Sequence, residues 1–221
     1  MTGLRARHKA DRQARILQAA VTLFRRDGYR AARIEDLAEM AEVSPGTVYN
    51  YYGTKGDILI ATVAMEVEEV LSAGAAIVAD PPRGVQEAII ALISVYYDHS
   101  LKYLSKEMWR TAMALSIDAP HTPNGARYSE LDRALSAQVV ALIAGLQQRG
   151  EVAAGLDVQA LGEVVFNNLN AKFMDFVKDD AMTPQTLKAN VARQTRALSQ
   201  LIAGNDKGAR PGKGCDALSC P

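Results

Sequence analysis

The sequence predicts an all-α fold of about nine helices, with a small three-helix head at the N-terminus and a larger helical body. Along most of the chain, apolar residues recur at intervals of three and four, the period of a helix with one buried face. No segment shows the strict alternation typical of a strand, and Gly or Pro separates most helical patterns from the next. These observations indicate a protein built from packed helices.

The chain has 221 residues, of which 48% are hydrophobic, enough to bury the core of one large or two modest domains. No apolar run is long enough to span a membrane, and the Arg-rich start is not followed by the apolar segment of a signal peptide. We therefore expect a soluble, cytoplasmic protein that does not bind membranes. The two cysteines, Cys215 and Cys220, are too few and too close to predict a disulfide framework or a metal site.

Charge is distributed unevenly along the chain although the net charge is zero. Residues 1–33 contain nine Arg and Lys residues against two Asp residues, a local charge of +7 that the remaining chain balances. Such an asymmetry is typical of a DNA-facing end joined to a body that need not touch DNA. A solvated basic tail is the alternative that charge alone leaves open.

The first ten residues, 1–10, lack apolar periodicity, so the sequence predicts a flexible basic arm there. Its cations Arg5, Arg7 and Lys9 have the charge to contact phosphates or an adjacent minor groove. A disordered start without a partner is the other interpretation.

The first helix is predicted from about Asp11 to Asp27 and ends at Gly28. The i, i+3, i+4, i+7, i+8 spacing defines its buried stripe: Ile16, Ala19, Ala20, Leu23 and Phe24. The second helix repeats this spacing with Ile34, Leu37, Ala38 and Ala41. With the third helix they form a head predicted at 11–55, in which we expect Phe24, Leu37 and Val48 to meet.

The third helix is short and has clear signals at both ends. Ser44 offers a side-chain oxygen to the unpaired N–H groups of the first turn, and Pro45 fits the first helical position. Gly53 ends the helix after about two turns. We therefore predict a compact helix whose position in the chain is fixed by its own sequence.

This third helix has two distinct faces on a period of 3.6 residues. Val48 and Tyr52 share the face that anchors the helix, and aromatic packing is the preferred interpretation of Tyr52. The opposite face presents Thr47, Asn50 and Tyr51. Hydroxyl, amide and aromatic groups on an outward face, followed by Lys55, are suited to a DNA major groove.

The segment 34–55 resembles the helix-turn-helix signature of the TetR family of bacterial transcriptional regulators. The matching residues are Ile34, Leu37, Ala38, Ala41, Val43, Ser44, Gly46, Thr47, Val48, Tyr49, Lys55 and Leu59. The resemblance covers residues 12–62 by motif and the rest of the chain by helix number and length. It implies an N-terminal helix-turn-helix DNA-binding domain and a C-terminal body for ligand binding and dimerisation.

The resemblance also implies roles for residues around the third helix. The helix N-terminus, Tyr49 and Lys55 would contact backbone phosphates, as they do in the family. Thr47, Asn50 and Tyr51 are better placed for base edges, because Asn pairs with adenine and Thr can meet a thymine methyl group, while aromatic packing is the alternative for Tyr51. The predicted DNA-binding residues are Arg33, Ser44, Pro45, Gly46, Thr47, Tyr49, Asn50, Tyr51 and Lys55.

Two residues depart from the family pattern. Arg33 stands where Thr or Ser usually precedes the second helix, so it cannot cap in the same way and instead offers a further phosphate contact. Glu42 stands where glycine is usual in the turn, so it must adopt the turn conformation at some cost. We expect its carboxylate to point away from DNA, because phosphate would repel it.

The body begins with a long helix from about Gly56 to Ala79, which the Pro-rich segment 80–84 ends. Five further helices are predicted at about 85–104, 106–117, 128–149, 157–178 and 183–204, with a loop at 119–125. The effector-binding and dimerisation domain is thus predicted at 56–204. The tail, 205–221, is rich in Gly, Lys and Pro and is predicted to be disordered.

Family members sense a small molecule between the helices of the body, which implies a pocket here. The candidates are Tyr96, Tyr97, Tyr103, Met108, Trp109, Met113, Phe166, Asn167, Phe173 and Met174. Apolar walls with few polar groups favour a mainly hydrophobic or aromatic effector. Ordinary core packing is the alternative for each of these side chains.

The last two helices are the expected dimer interface, because the family dimerises through a four-helix bundle of these elements. The predicted interface residues are Leu161, Val165, Leu169, Leu187, Val191, Leu198, Leu201 and Ile202. Ordinary core helices of a monomer are the alternative. A dimer would present two third helices to successive major grooves of a near-palindromic double-stranded DNA operator.

No catalytic or metal-binding signature is found in the sequence, so we predict neither an enzyme, nor a cofactor, nor a metal site. The three histidines, His8, His99 and His121, lack the spacing of metal ligands. Adjacent residues on a helix diverge by about 100°, so Asp98 and His99 do not form an acid–base pair.

The sequence therefore predicts a homodimeric, ligand-responsive transcriptional regulator that binds DNA. The resemblance implies that it is a repressor, released from its operator by a small, mainly hydrophobic effector. A helical enzyme, or a scaffold whose helix-turn-helix packs against protein, is the alternative from another functional class.

Overall fold

The computed structural model describes residues 2–204, and this range contains nine α-helices. They are α1 (Thr2–Asp27), α2 (Ile34–Met40), α3 (Pro45–Tyr51), α4 (Lys55–Ala79), α5 (Val85–His99), α6 (Lys106–Asp118), α7 (Pro123–Gln148), α8 (Val158–Lys178) and α9 (Pro184–Ile202). The predicted all-α fold of about nine helices is confirmed. The predicted tail 205–221, with Cys215 and Cys220, lies outside the described residues.

In the head, α1 packs against α2 and α4, and α2 packs against α3. Phe24, Leu37 and Val48 are almost completely buried and belong to one hydrophobic cluster, which confirms their predicted place in the core of the head. Tyr52 is also buried, in agreement with its interpretation as a packing residue. Burial of these side chains fixes which face of α3 is left for solvent.

Helix α1 begins at Thr2, so the flexible arm predicted at 1–10 is helical from residue 2 onward. Residues 6–15 are exposed, and the Nε–H of Arg12 donates to the carbonyl oxygen of His8 within the helix. The prediction relied on the absence of an apolar stripe, which reports burial rather than helix formation. Ala, Arg, Lys and Gln favour the helix by themselves and extend it from the packed part of α1.

Two boundaries in the body also differ from the prediction. Helix α7 begins at Pro123 instead of Tyr128, because the side chain of Thr122 accepts a hydrogen bond from the N–H of Gly125 and caps the helix within the predicted loop. Helix α5 ends at His99, before the predicted Leu104, and residues 100–104 form a connecting loop. Local apolar spacing continued through this loop, but its residues pack there without helical geometry.

The body is centred on α7, which packs along both α4 and α8. Helix α5 packs between α4 and α9, and α6 contacts α4, α7 and α8. Helix α4 therefore belongs to both parts of the molecule, since its first turns contact α1 and its later turns line the interior of the body. None of the helices within the described range is long and apolar enough to cross a membrane.

Candidate DNA-binding face and effector cavity

The N-terminus of α3 is built as the sequence predicted. Ser44 has extended backbone angles, and its Oγ accepts a hydrogen bond from the N–H of Thr47 at 3.1 Å. Pro45 occupies the first helical position, where its missing N–H costs no hydrogen bond. The capping prediction is confirmed, and the N–H of Val48 bonds to the carbonyl oxygen of Ser44, so only the N–H of Gly46 in this first turn has no partner within the helix.

Most of the predicted DNA-facing residues share the outer surface of α3. Ser44, Pro45, Gly46 and Asn50 are exposed, and Thr47 is half-buried. The side chain of Tyr49 is also outside, with 51% of the residue exposed. The structure thus brings a cap, a hydroxyl, an amide and a phenol onto one convex surface.

Tyr51 and Lys55 are engaged inside the head, unlike the other predicted residues. The Tyr51 hydroxyl donates to the carbonyl oxygen of Lys9 at 3.3 Å, and the half-buried ring packs against the core. Tyr51 therefore helps hold α3 on α1, which differs from its predicted place at the base edges. Its position follows from the path of α1, which local periodicity in α3 does not reveal.

The ammonium group of Lys55 closes the loop between α1 and α2. Its Nζ donates to the carbonyl oxygens of Tyr29, Arg30 and Ala32 at 2.9, 3.1 and 3.0 Å. It also lies 4.7 Å from the centre of the Tyr29 ring, a favourable position for a cation. An ammonium group has three donors and all three are used here, so in this structure Lys55 has no free donor for the predicted phosphate contact.

Two expectations for Arg33 and Glu42 are met in the structure: the missing side-chain cap of α2 and the left-handed turn conformation. Arg33 makes no side-chain cap to α2, and its exposed guanidinium lies 3.4 Å from the carboxylate of Glu35. Glu42 has a φ of 55°, in the left-handed region that favours glycine. Its carboxylate lies 3.3 Å from Nη1 of Arg15 on α1. The expected cost of the turn at Glu42 is therefore present in the backbone.

A cavity of about 70 Å³ lies in the body among α4, α5, α6, α7 and α8. Half of the predicted pocket residues line it: Tyr96, Tyr97, Trp109, Phe166 and Phe173. The Tyr97 and Phe173 rings stack with their centres 6.0 Å apart, and the Trp109 ring meets Phe173 edge-on at 5.1 Å. The aromatic wall that the sequence predicted is therefore assembled around one space.

The other five predicted pocket residues do not line this cavity. Met108 is completely buried in the core, while Asn167 lies on the exposed face of α8. Tyr103 instead donates its hydroxyl to the carboxylate of Glu69 at 2.9 Å. Met113 and Met174 are half-buried elsewhere. Residue type alone selected these side chains, and only the helix rotation decides which of them face the cavity.

Two carboxylates in the cavity wall were missed by the sequence reasoning. Glu66 of α4 is only 1% exposed, and it lines the cavity together with Asp132 of α7. A signal existed for Glu66, because it lies between Val63, Val67 and Val70 on the buried face of α4. For Asp132, the four-residue spacing from the buried Tyr128 gave a similar signal.

The carboxylate of Glu66 is only half satisfied. Its Oε1 lies 2.6 Å from Nδ1 of His99, whereas its buried Oε2 has no hydrogen-bond partner. Burial raises the pKa of Glu66, and the hydrogen bond with His99 opposes this shift. Burial also raises the pKa of Asp132 to about 6. Both carboxylates thus stand in surroundings that penalise their charge.

The two tyrosines of α5 use their hydroxyl groups outside the cavity. Tyr96 donates to Oε1 of Gln138 at 2.6 Å, and Tyr97 donates to the carbonyl oxygen of Leu169 at 2.9 Å. Burial raises the pKa of each phenol. The apolar faces of the two rings therefore line the cavity, while their hydroxyl groups are hydrogen-bonded to other parts of the protein.

Most of the residues predicted for the dimer interface pack inside the single chain. Val165, Leu169, Leu187, Val191 and Ile202 are buried in the core of the single chain, because the apolar stripes of α8 and α9 face α7 and α5. Leu161 and Leu198 are half-buried, and only Leu201 is free, with 83% of it exposed. The exposed Val164, which the prediction omitted, gives α8 an apolar residue on its outer face.

The suspected acid–base pair separates as expected for neighbours on a helix. Asp98 is exposed and pairs with Lys188 of α9, while the ring of His99 faces Glu66 and Glu69 of α4. Within the part of the chain that the structure describes, no three Asp, Glu, His or Cys side chains are arranged to hold a metal ion.

Comparison with known proteins identifies a family at the N-terminus. The family model described as bacterial regulatory proteins, tetR family, matches residues 16–62. The chain is 28% identical over 153 residues to the HTH-type transcriptional repressor NicS of Pseudomonas putida, covering 68% of each protein. It is 23% identical over 180 residues to the fatty acid metabolism regulator protein of Bacillus subtilis, covering 79% of this chain and 88% of that one.

Solved structures share the whole fold. A TetR-family regulator from Mesorhizobium loti superposes with a TM-score of 0.67 at 21% identity, covering 88% of this chain and 98% of that one. FadR of Thermus thermophilus, solved in complex with lauroyl-CoA, superposes with a TM-score of 0.61 at 20% identity, covering 91% and 99%. At this identity the likeness shows a common arrangement of head and body.

Proposed function

The chain belongs to the TetR family of bacterial regulatory proteins, and on this premise we propose that it is a ligand-responsive DNA-binding transcriptional repressor. One observation carries the proposal: α4 is a single helix that starts beside the exposed face of α3 and continues into the wall of the body cavity. A ligand in the body can therefore move the head through one rigid element.

The proposed DNA contacts follow from exposure and chemistry. Thr47 and Asn50 would reach base edges, whereas the Tyr49 hydroxyl and the N–H of Gly46 would bind phosphate oxygens. The exposed guanidinium of Arg33 would add a phosphate contact. In this proposal Lys55 and Tyr51 hold the helices of the head together and do not contact DNA themselves.

The active unit in this proposal is a homodimer joined through the outer faces of α8 and α9, where Val164 and Leu201 are exposed. Two heads would then meet successive major grooves of a near-palindromic operator. Leu201→Glu should shift the protein to a monomer in analytical ultracentrifugation. Ile117→Glu, on the similarly exposed Ile117 of α6, is the control that should stay dimeric.

Coupling between body and head would use a second contact besides α4. Ser100 lines the cavity, and its carbonyl oxygen accepts a hydrogen bond from Nε1 of Trp109 at 2.6 Å. In the same loop, the carbonyl oxygens of Leu101 and Lys102 accept hydrogen bonds from Arg25 of α1. A ligand that displaces Trp109 or Ser100 would therefore pull on the head at α1.

We propose a small, mainly hydrophobic effector, which the aromatic wall of the cavity supports. The cavity holds about 70 Å³, below the roughly 300–1,000 Å³ of typical ligand pockets. An effector must therefore widen it, and this requirement would make the effector bind the widened state more tightly than the closed one. Such a difference in affinity is what shifts the head away from its DNA-binding spacing.

Fluorescence anisotropy with duplexes from the DNA flanking the protein's own gene tests the proposal. We expect a near-palindromic segment to bind tightly and a scrambled duplex of equal length to bind weakly. Tight binding that an effector weakens would support a repressor. Equal binding to both duplexes would refute sequence-specific recognition and favour the alternative, a helical enzyme or a protein-interaction scaffold.

A further inference from the structure

The free oxygen of Glu66 indicates what kind of group belongs in the cavity. Its Oε1 is held by His99, but Oε2 is buried in the cavity wall without a donor. A buried acceptor without a partner carries a free-energy penalty, which is largest for a charged group. A ligand that brings an N–H donor to Oε2 would remove this penalty.

A second carboxylate, Asp132 from α7, lines the same cavity opposite α4. Among the residues that line it, Glu66 and Asp132 are the only Asp, Glu, Lys, Arg or His side chains. The nearby ammonium of Lys102 does not line the cavity and is paired with Glu69 at 2.8 Å. The lining therefore has acidic side chains and no basic one, which opposes an anionic ligand and favours a cation.

The aromatic rings of the wall strengthen this preference. Tyr96 and Tyr97 have their hydroxyls bound elsewhere, so they can meet a ligand only with their rings. Trp109 and Phe173 lie beside them. The face of an aromatic ring is negative and attracts cations, and this attraction grows when water is excluded.

We propose that the effector carries a protonated amine on a small aromatic or apolar body, with Glu66 binding the amine through Oε2 and Asp132 supplying the second carboxylate. This inference rests on the proposed function, in which the cavity is the effector site. It narrows the mainly hydrophobic effector to amphipathic amines: the rings hold the apolar body, and the two carboxylates select the charge.

A purely structural role of Glu66 explains less of the geometry. Pairing with His99 accounts for Oε1 and leaves Oε2 buried without a donor. A neutral alcohol would satisfy Oε2 but would not offset the negative charge shared with Asp132. A cation does both, and its hydrogen bond to a carboxylate is about twice as strong as a neutral one.

Three ligands of nearly equal size and different charge test the inference: benzylamine, benzyl alcohol and benzoate. Binding is followed by the emission of Trp109, the only tryptophan of the chain, and by calorimetry. We expect benzylamine to bind at least about tenfold more tightly than benzyl alcohol, a difference of about 1.4 kcal/mol, and benzoate not to bind. Equal affinities, a preference for benzyl alcohol or benzoate, or no binding of benzylamine would overturn the inference.

Variants of nearly unchanged shape identify the carboxylates. Glu66→Gln and Asp132→Asn should each weaken benzylamine binding about tenfold or more and leave benzyl alcohol within about twofold. Glu68→Gln, on the exposed face of the same helix, is the matched control and should not change either affinity. If circular dichroism shows that Glu66→Gln is not folded, the comparison of Asp132→Asn with the wild type tests the role of the carboxylates. Unchanged benzylamine affinity in the folded variants would refute the assignment.

Anisotropy with operator DNA separates this inference from the proposed function. Release of the protein from DNA by benzylamine supports both. If benzylamine binds in the cavity but does not release the protein from DNA, the amine site is supported and the proposed sensor function is refuted. Release from DNA by benzyl alcohol or benzoate but not by benzylamine keeps the sensor and overturns the amine.

Discussion

The head and the body place their polar groups in opposite ways. In the head, Ser44, Tyr49 and Asn50 stand on the outer surface of α3, while the apolar residues beneath them are packed. In the body, Glu66 and Asp132 face an interior space that is bounded by five helices. A large polymer such as DNA needs a convex face with free donors, whereas a small ligand needs enclosure. Solvent exposure therefore marks the candidate residues of the head, whereas carboxylates turned towards the interior, one of them with an oxygen that lacks a donor, mark those of the body.

The largest effect is expected for Lys55→Met, which tests whether Lys55 belongs to the interior of the head or to its DNA surface. The variant leaves three carbonyl oxygens without their donor, so the free energy of unfolding in urea should fall by about 2–3 kcal/mol. Lys9→Met, an exposed lysine of α1, should change stability by less than about 0.5 kcal/mol.

The salt dependence of DNA binding tests whether Lys55 contacts a phosphate. A lysine that contacts no phosphate leaves the slope of log affinity against log salt unchanged when it is replaced. If Lys55→Met has normal stability and its slope is smaller by about one unit, Lys55 contacts a phosphate. Lys55 would then belong to the DNA surface and not to the interior of the head.

The next effect concerns the outer face of α3. Asn50→Ala should cost about 1–3 kcal/mol of binding to the preferred operator and relax the base preference at one position. Tyr49→Phe should weaken binding by a similar factor on all sequences, because a phosphate contact carries no base information. Anisotropy on operators with single base changes measures both. The same loss on every sequence for both variants would show that the division of roles is wrong.

A smaller effect is expected from Asp132, the half-buried carboxylate in the cavity wall. The pKa of Asp132 is raised from 3.8 to about 6, so the folded protein takes up this proton more readily than the unfolded chain. The stability that protonation contributes is complete below about pH 4 and is lost as the pH rises through about 6. Asp132→Asn removes the cost of the charge, and the variant should be more stable at pH 7 by about 1–2 kcal/mol, after allowance for partial exposure.

Urea unfolding of both proteins between pH 4 and pH 8 measures this difference. The advantage of Asp132→Asn should shrink towards zero as the pH falls to about 4, where Asp132 is protonated in the folded protein and the unfolded chain comes close to its own pKa of 3.8. Asp118→Asn, at the exposed end of α6, should show no such trend. An advantage independent of pH would mean that burial of charge at Asp132 is not its cause.

The smallest effect tests the link between the two regions. Arg25→Gln removes the guanidinium that bonds the loop after α5, so the weakening of DNA binding by an effector should diminish by about 0.5–1 kcal/mol. DNA affinity without effector and effector affinity without DNA should stay the same. The neighbouring Arg26, which pairs with Asp27, provides the control Arg26→Gln. If the effector weakens DNA binding equally in the wild type, Arg25→Gln and Arg26→Gln, the contact of Arg25 does not link the cavity to the head, and the link runs through α4.

Sequence reasoning succeeded where the signal is local. The cap at Ser44, the packed face at Val48 and the turn strain at Glu42 each depend on a few neighbouring residues, and each is present in the structure. It failed where a distant segment decides. Tyr51 meets Lys9, Lys55 meets the loop after α1, and the stripes of α8 and α9 meet α7 and α5. An apolar stripe shows that a helix is covered on one side, but not by which partner.

The amino-acid sequence by itself determined the helices, the order of head and body, and the outward chemistry of α3, because hydrophobic period, caps and Gly or Pro breaks act within one or two turns. Only the tertiary structure decided which side chains enclose the cavity. Glu66 reads as one of several solvated acids on α4 until α5 and α7 cover it, leaving one carboxylate oxygen without a donor. That site depends on how each helix is rotated and on the packing of segments far apart in the chain. Local sequence periodicity predicts neither of these.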